Sequence, residues 1–160
     1  KNGSGKTTLI MCISNNFIGN TFNSNIRRKD TSLMEIGSSP SLMPELSLLE
    51  NIKYFLFNDN INENMISNVL NKYELESFKS DLVRDFSSGM IKRSEIAIAD
   101  LKNPKVLCID EPKVYLDENG VDLLLNLISK REKEGSTSIL SSQESIGAFT
   151  SIERSFNLND

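Results

Sequence analysis

Lys1-Asn2-Gly3-Ser4-Gly5-Lys6-Thr7-Thr8 constrains this chain more than any other stretch. It reads as a phosphate-binding loop, G-x-x-x-x-G-K-[ST], whose leading glycine would sit one residue before Lys1. Gly3 and Gly5 can take positive φ and leave bare backbone against which a phosphate fits. The amides of residues 3 to 8 then point inward where a helix opens, and unpaired N–H groups and the macrodipole favour an anion there. Lys6 supplies a charge for the β/γ-phosphates, and the Thr7 hydroxyl can coordinate Mg²⁺. Asn2, Ser4 and Thr8 belong to the same cradle. The bland alternative is a Gly/Ser turn before a basic residue. The direct run into Leu9-Ile10-Met11 argues against it, and the stretch predicts a nucleotide site.

A loop of this kind follows a buried parallel strand, and 160 residues suffice for one domain with a single core. The sequence starts inside the motif and without a methionine. The expectation is therefore a fragment or an incomplete gene product whose first strand lies upstream. The formal charge of −4, from 18 basic and 22 acidic residues, and the lack of a basic stripe argue against nucleic acid as a partner. Residues 7–26 carry no charge but are rich in Asn, Ser and Thr, so they do not make a transmembrane segment. No signal-peptide pattern is present. Cys12 and Cys108 stand alone in apolar runs, which suits reduced, buried thiols rather than a disulfide framework or a metal site. Histidine is absent, removing the commonest metal ligand and general base, and Gln143 is the only glutamine.

Along the chain, residues 7–14 are expected to form the helix that the loop opens. Residues 15–25 read as loop with a short strand pair, and residues 32–36 as a strand. Ser47-Leu48-Leu49-Glu50 is an S-x-x-E capping box, so a helix starts at Ser47 with Leu49, Ile52, Phe55 and Leu56 on one face. Met65, Ile66, Val69, Leu70 and Tyr73 mark a second helix. Ser87 or Ser88 caps a third, over residues 91–101, which Pro104 ends. Residues 45–101 thus form a small helical insert. The continuous apolar run Val106-Leu107-Cys108-Ile109, closed by Asp110-Glu111-Pro112, has the character of a buried parallel strand. Asp117 caps a helix with Val121, Leu124, Leu125 and Ile128 in one stripe, and Gly135 ends it. Residues 136–140 read as the next strand, residues 141–145 as the loop after it, and residues 152–158 as a final strand. The alternation predicts an α/β fold with a mostly parallel sheet.

Four pieces stand in one order: Gly3 to Thr7, Phe86-Ser87-Ser88-Gly89-Met90, Val106 to Pro112, and Leu116-Asp117. This order resembles the nucleotide-binding domain of ATP-binding cassette (ABC) proteins, over nearly the whole chain, with a P-loop NTPase fold. The resemblance implies ATP and Mg²⁺ as ligands and makes the second piece the signature, the third Walker B and the fourth the D-loop. Asp110, ending a buried strand, can then hold the Mg²⁺ shell beside Thr7. Glu111 becomes the base that orients and deprotonates the attacking water. Ser87, Ser88 and Gly89, with Asp117, would act on the ATP held by a second ATPase subunit in a head-to-tail homodimer.

The departures from the family pattern are equally specific. A glutamine usual in the loop after the first strand is Ser39 here, the glutamine after the signature glycine is Met90, and the switch histidine is Gln143. Gln143 can donate a hydrogen bond to phosphate but carries no charge. Slow or absent hydrolysis follows as an expectation, with a degenerate nucleotide-binding scaffold as the alternative to an ATPase. A soluble ABC protein of translation or DNA repair is a third reading, which a second cassette would support. Within the family, Met43 to Ile52, Ser87 to Met90 and Leu140-Ser141-Ser142 are similar to the haem-exporter ATPase of cytochrome c maturation. That resemblance implies a peripheral subunit on the cytoplasmic or matrix face of an inner membrane, bound to integral membrane subunits and driving haem transfer.

Overall fold

The computed structural model of the protein describes residues 5–14 and 32–142. The expected strand pair at 15–25, the final strand at 152–158, and Asn2, Gly3, Ser4 and Gln143 lie outside the described residues. The elements run α1 (Lys6–Ser14), β1 (Leu33–Ile36), α2 (Leu48–Phe55), α3 (Glu63–Lys72), α4 (Ser88–Lys102), β2 (Val106–Asp110), α5 (Glu118–Lys133) and β3 (Thr137–Ser141). The chain divides into two compact units. One comprises Lys1–Ser38, Pro104–Pro112 and Ile128–Asp160, the other Ser39–Asn103 and Lys113–Leu127.

The first unit is built on a parallel sheet in the order β1-β2-β3. Its register sets Ile36 beside Ile109, and Ile109 beside Leu140. Leu107, Cys108 and Ile109 have no solvent exposure, which is what a continuous apolar run in a central parallel strand produces. Burial, with the charge of Glu35 adding to it, pushes the Cys108 thiol up to about 11. Helix α1 is only nine residues long, too short to persist alone, and it is held by lying against all three strands. Arg131, near the C-terminal end of α5, is fully buried here. It donates to the carbonyls of Pro104 at 2.8 Å and Thr137 at 3.1 Å, and to the Ser138 hydroxyl at 3.2 Å. Gly135, at φ +72°, turns the chain from α5 into β3 as its sequence position predicts.

The second unit is helical. Ser47 caps α2 with both halves of the capping box formed: its hydroxyl accepts from the Glu50 N–H, and the Glu50 carboxylate accepts from the Ser47 N–H at 2.8 Å. The buried face of α2 is Leu48, Asn51, Ile52 and Leu56, so Leu49 and Phe55 stand to the side of the stripe predicted for them. Helix α3 buries Ile66 and Leu70 as expected, with Tyr73 behind them, while Met65 is exposed. Helices α3 and α4 are clamped at Asp100, whose carboxylate receives Lys72 at 2.7 Å and the Tyr73 hydroxyl at 3.2 Å. Burial first, and the Asp100 charge next, drive the Tyr73 phenol well above its ordinary range.

Both ends of α4 and the buried face of α5 differ from expectation. Helix α4 starts at Ser88 rather than at residue 91, because Ser87 already accepts the Met90 N–H at 3.2 Å. It stops at Asn103, which turns left-handed at φ +42°, one residue before Pro104. Along α5 the buried positions are Gly120, Leu124, Leu127 and Arg131, so the stripe is rotated from the predicted Val121, Leu124, Leu125 and Ile128.

Candidate functional site

In the first unit, Gly5 has φ +86° and precedes α1, its carbonyl accepting the Leu9 N–H at 2.8 Å. This conformation is cheap only for glycine and leads the chain into the first turn of α1. Lys6 and Thr7 are half-buried in that first turn, and Thr8 is exposed. No acidic residue occupies the turn, so the positive end of the helix is left for an external anion.

The Thr7 hydroxyl donates to Asp110 Oδ2 at 2.7 Å, joining two residues 103 positions apart. Asp110 ends β2 and is 1% exposed. Its other oxygen, Oδ1, accepts from the Ser141 hydroxyl. Ser141 is the last residue of β3, in register with Asp110, and not the first residue of a loop as the sequence suggested. Glu111 follows directly and is half-buried, with φ +48°. Its N–H donates to the Ser141 carbonyl at 2.9 Å, so the backbone leaves the strand by a sharp left-handed turn. Non-glycine residues in that region cluster at functional sites because the surrounding structure must hold them there.

The oxygens of Thr7 and Asp110 fit Mg²⁺ by their chemistry. Both are hard donors, they come from two different elements, and they lie within hydrogen-bond distance of each other. Among the described residues no group of three or more His, Cys, Asp or Glu side chains could cage a metal.

In the second unit, Ser87 and Ser88 are exposed at the N-terminus of α4, over a buried Phe86. A side chain at Gly89 would meet the Tyr115 carbonyl at 3.1 Å, so this glycine permits a close backbone approach. Tyr115 is itself left-handed, at φ +68°, and is exposed. Asp117 accepts the Gly120 N–H at 2.8 Å and so caps α5 as its position predicts. Both its oxygens also receive Arg93 Nη2, at 2.7 and 2.8 Å. The Gly120 N–H first, and Arg93 next, hold the Asp117 carboxyl below the usual range. Arg93 reaches Glu74 as well, so α4 is tied both to the end of α3 and to the N-terminus of α5. Ser39 is exposed, and Met90 is half-buried on α4.

The structure therefore gathers Thr7, Asp110 and Glu111 around one strand end, and sets Ser87, Ser88 and Gly89 at the N-terminus of α4, which Arg93 links to Asp117 at the start of α5. Ser141 and Arg93 belong to these clusters and were missed in the sequence. Arg93 could have been found four residues past Gly89, on the same helix; Ser141 could be found only once the register of β3 was fixed.

A family model described as ABC transporter matches residues 1–114. The lantibiotic transport ATP-binding protein SrtF of Streptococcus pyogenes is 36% identical over 150 residues, covering 88% of this chain and 64% of its own. The cytochrome c biogenesis ATP-binding export protein CcmA of Reclinomonas americana is 32% identical over 152 residues, covering 88% of this chain and 68% of its own. A dimeric ATP-binding cassette solved in a post-hydrolysis state with ADP and Pi superposes with a TM-score of 0.72. It is 22% identical, covering 90% of this chain and 72% of its own.

Proposed function

Because the chain belongs to the ABC transporter family and carries the P-loop ATPase fold of that family, we propose that it binds and hydrolyses ATP to energise a transporter. The observation that carries this reading is the 2.7 Å contact between Thr7 and the buried Asp110, two motif residues brought together from opposite parts of the sequence. The loop of Asn2, Gly3, Ser4, Gly5 and Thr8 cradles the phosphates with its amides, and Lys6 offsets their charge. Thr7 and Asp110 hold Mg²⁺, which neutralises charge developing on the phosphates. Glu111 orients the attacking water and takes its proton. Ser87, Ser88 and Gly89, with Asp117 behind them, present a helix N-terminus to the γ-phosphate of ATP held by a second copy of the chain.

The partners in this reading are integral membrane subunits, with the ATPase peripheral to an inner membrane. Among the described residues no helix is long and apolar enough to cross a membrane. The chain spans 64% of the length of SrtF, and the cargo is chosen by those partner subunits. Haem export is supported by the likeness to CcmA, at 32% identity, and lantibiotic export by the likeness to SrtF, at 36%. The higher identity to SrtF favours a lantibiotic cargo over haem. Turnover is slow in this reading, because Ser39 stands where a glutamine would sense Mg²⁺ and the membrane partner, Gln143 where a histidine would contact the γ-phosphate, and Met90 where a glutamine usually follows the signature glycine.

Steady-state ATPase assays test the chemistry. Glu111→Gln should lower turnover by about 10²- to 10⁴-fold, the usual contribution of a general base, while ATP still binds. Turnover equal to the parent's would remove Glu111 from that role. A parent that binds ATP without turning it over would favour the scaffold reading, and Gln143→His would then be expected to restore hydrolysis.

A further inference from the structure

We infer that Ser141 is a positioning residue for Mg²⁺-dependent nucleotide binding, acting through Asp110; this deepens the proposed ATP site and rests on it. A buried aspartate at a strand end can rotate its carboxylate plane unless something fixes it. Here the two oxygens are divided. Oδ2 accepts from Thr7 at 2.7 Å, and Oδ1 accepts from Ser141 on the neighbouring strand. Parallel pairing of β2 with β3 places Asp110 and Ser141 side by side, so the contact follows from the sheet and needs no loop to order itself. Ser141 is 9% exposed, which leaves little room for water to replace its hydroxyl.

The same residue fixes the backbone on the other side. Its carbonyl accepts the N–H of Glu111, whose φ of +48° is a conformation that side chains rarely adopt. Ser141 thus orients the proposed Mg²⁺-binding oxygen through its hydroxyl and starts the Glu111 turn through its carbonyl. A hydrogen bond to a ligating carboxylate is the kind of support whose loss weakens metal binding without touching the metal. Only the hydroxyl can be removed by mutation, which separates the two roles.

The test is a fluorescence titration of a labelled ATP analogue, run across a Mg²⁺ series and again in excess EDTA. Ser141→Ala should weaken the Mg²⁺-dependent part of binding by about 10- to 100-fold and leave affinity in EDTA at the parent's value. Ser141→Thr, which keeps the hydroxyl in a strand-compatible side chain, should restore the Mg²⁺ dependence. Ser141→Val fills the space without a hydroxyl and should behave as the alanine variant does. A parent-like Mg²⁺ dependence in Ser141→Ala, or its restoration by Ser141→Val, would overturn the inference while leaving the ATP site intact. A parent that binds no nucleotide with or without Mg²⁺ would remove the ATP site itself, and the inference with it.

Discussion

Asn51 has no solvent exposure, and its amide is fully committed. Oδ1 accepts the Met43 N–H at 2.8 Å, and Nδ2 donates to the carbonyls of Met43 and Ser47, both at 3.0 Å. One side chain therefore closes the turn that leads into α2. Removing it strands the Met43 N–H, at a cost of about 1–3 kcal/mol, while the Met43 and Ser47 carbonyls keep the backbone N–H groups of Leu46 and Asn51. Asn51→Ala should lower unfolding free energy by roughly 1–3 kcal/mol in urea denaturation, more than the truncation of a surface asparagine. A loss within about 0.5 kcal/mol would show that water or relaxation replaces these bonds. The role was invisible in the sequence, because a polar residue inside an amphipathic stripe reads as the solvent side. Lys6, Thr7, Asp110 and Glu111 stand out in the sequence for the opposite reason. Each belongs to a contiguous motif whose chemistry is local. Ser141 and Arg93 act through partners 31 and 24 residues away, and such pairings exist only once register and helix packing are set.

At the scale of elements, the parts read most accurately were those with a single strong local signal. The Ser47 capping box formed as expected, and the apolar run before Asp110 became the central strand. The stripe on α5 was less legible. Its sequence has apolar residues at 121, 123, 124, 125, 127 and 128, so periodicity alone allows more than one face. The buried arginine decides the matter. Arg131 lies seven positions after Leu124, on the same face, and binds the carbonyls of Pro104 and Thr137. A sequence reading places arginine in solvent, where it is usually found. Arg131→Met keeps the apolar stem and removes the donors. It should cost about 1–3 kcal/mol in the same denaturation assay, because the buried Pro104 carbonyl and the part-buried Thr137 carbonyl lose a partner. Arg131→Lys should recover only part of this, since one ammonium cannot reproduce the planar fork. Full recovery by lysine would mean that charge rather than geometry secures the end of α5.

At the scale of the whole molecule, fold and family were legible because four motifs appear in a fixed order and alternating elements imply a parallel sheet. The cargo was not. The haem expectation rested on common residue types in Met43 to Ile52, Ser87 to Met90 and Leu140 to Ser142, and the relatives include both a lantibiotic transport ATP-binding protein and a cytochrome c biogenesis ATP-binding export protein. A nucleotide-binding domain carries the chemistry of phosphate, not of what is moved, so its sequence holds little information on cargo. The central claim is accordingly about phosphate: that the loop before α1, with Thr7 and Asp110, binds ATP with Mg²⁺.

Calorimetric titration of the protein with ATP–Mg²⁺, parent against Lys6→Ala, tests that claim most directly. The account predicts saturable one-site binding by the parent and a loss of roughly 10- to 100-fold in the variant. That range corresponds to the ~1.5–3 kcal/mol of a hydrogen bond to a charged group. Equal affinities in the two proteins, or no binding by a folded parent, would contradict it.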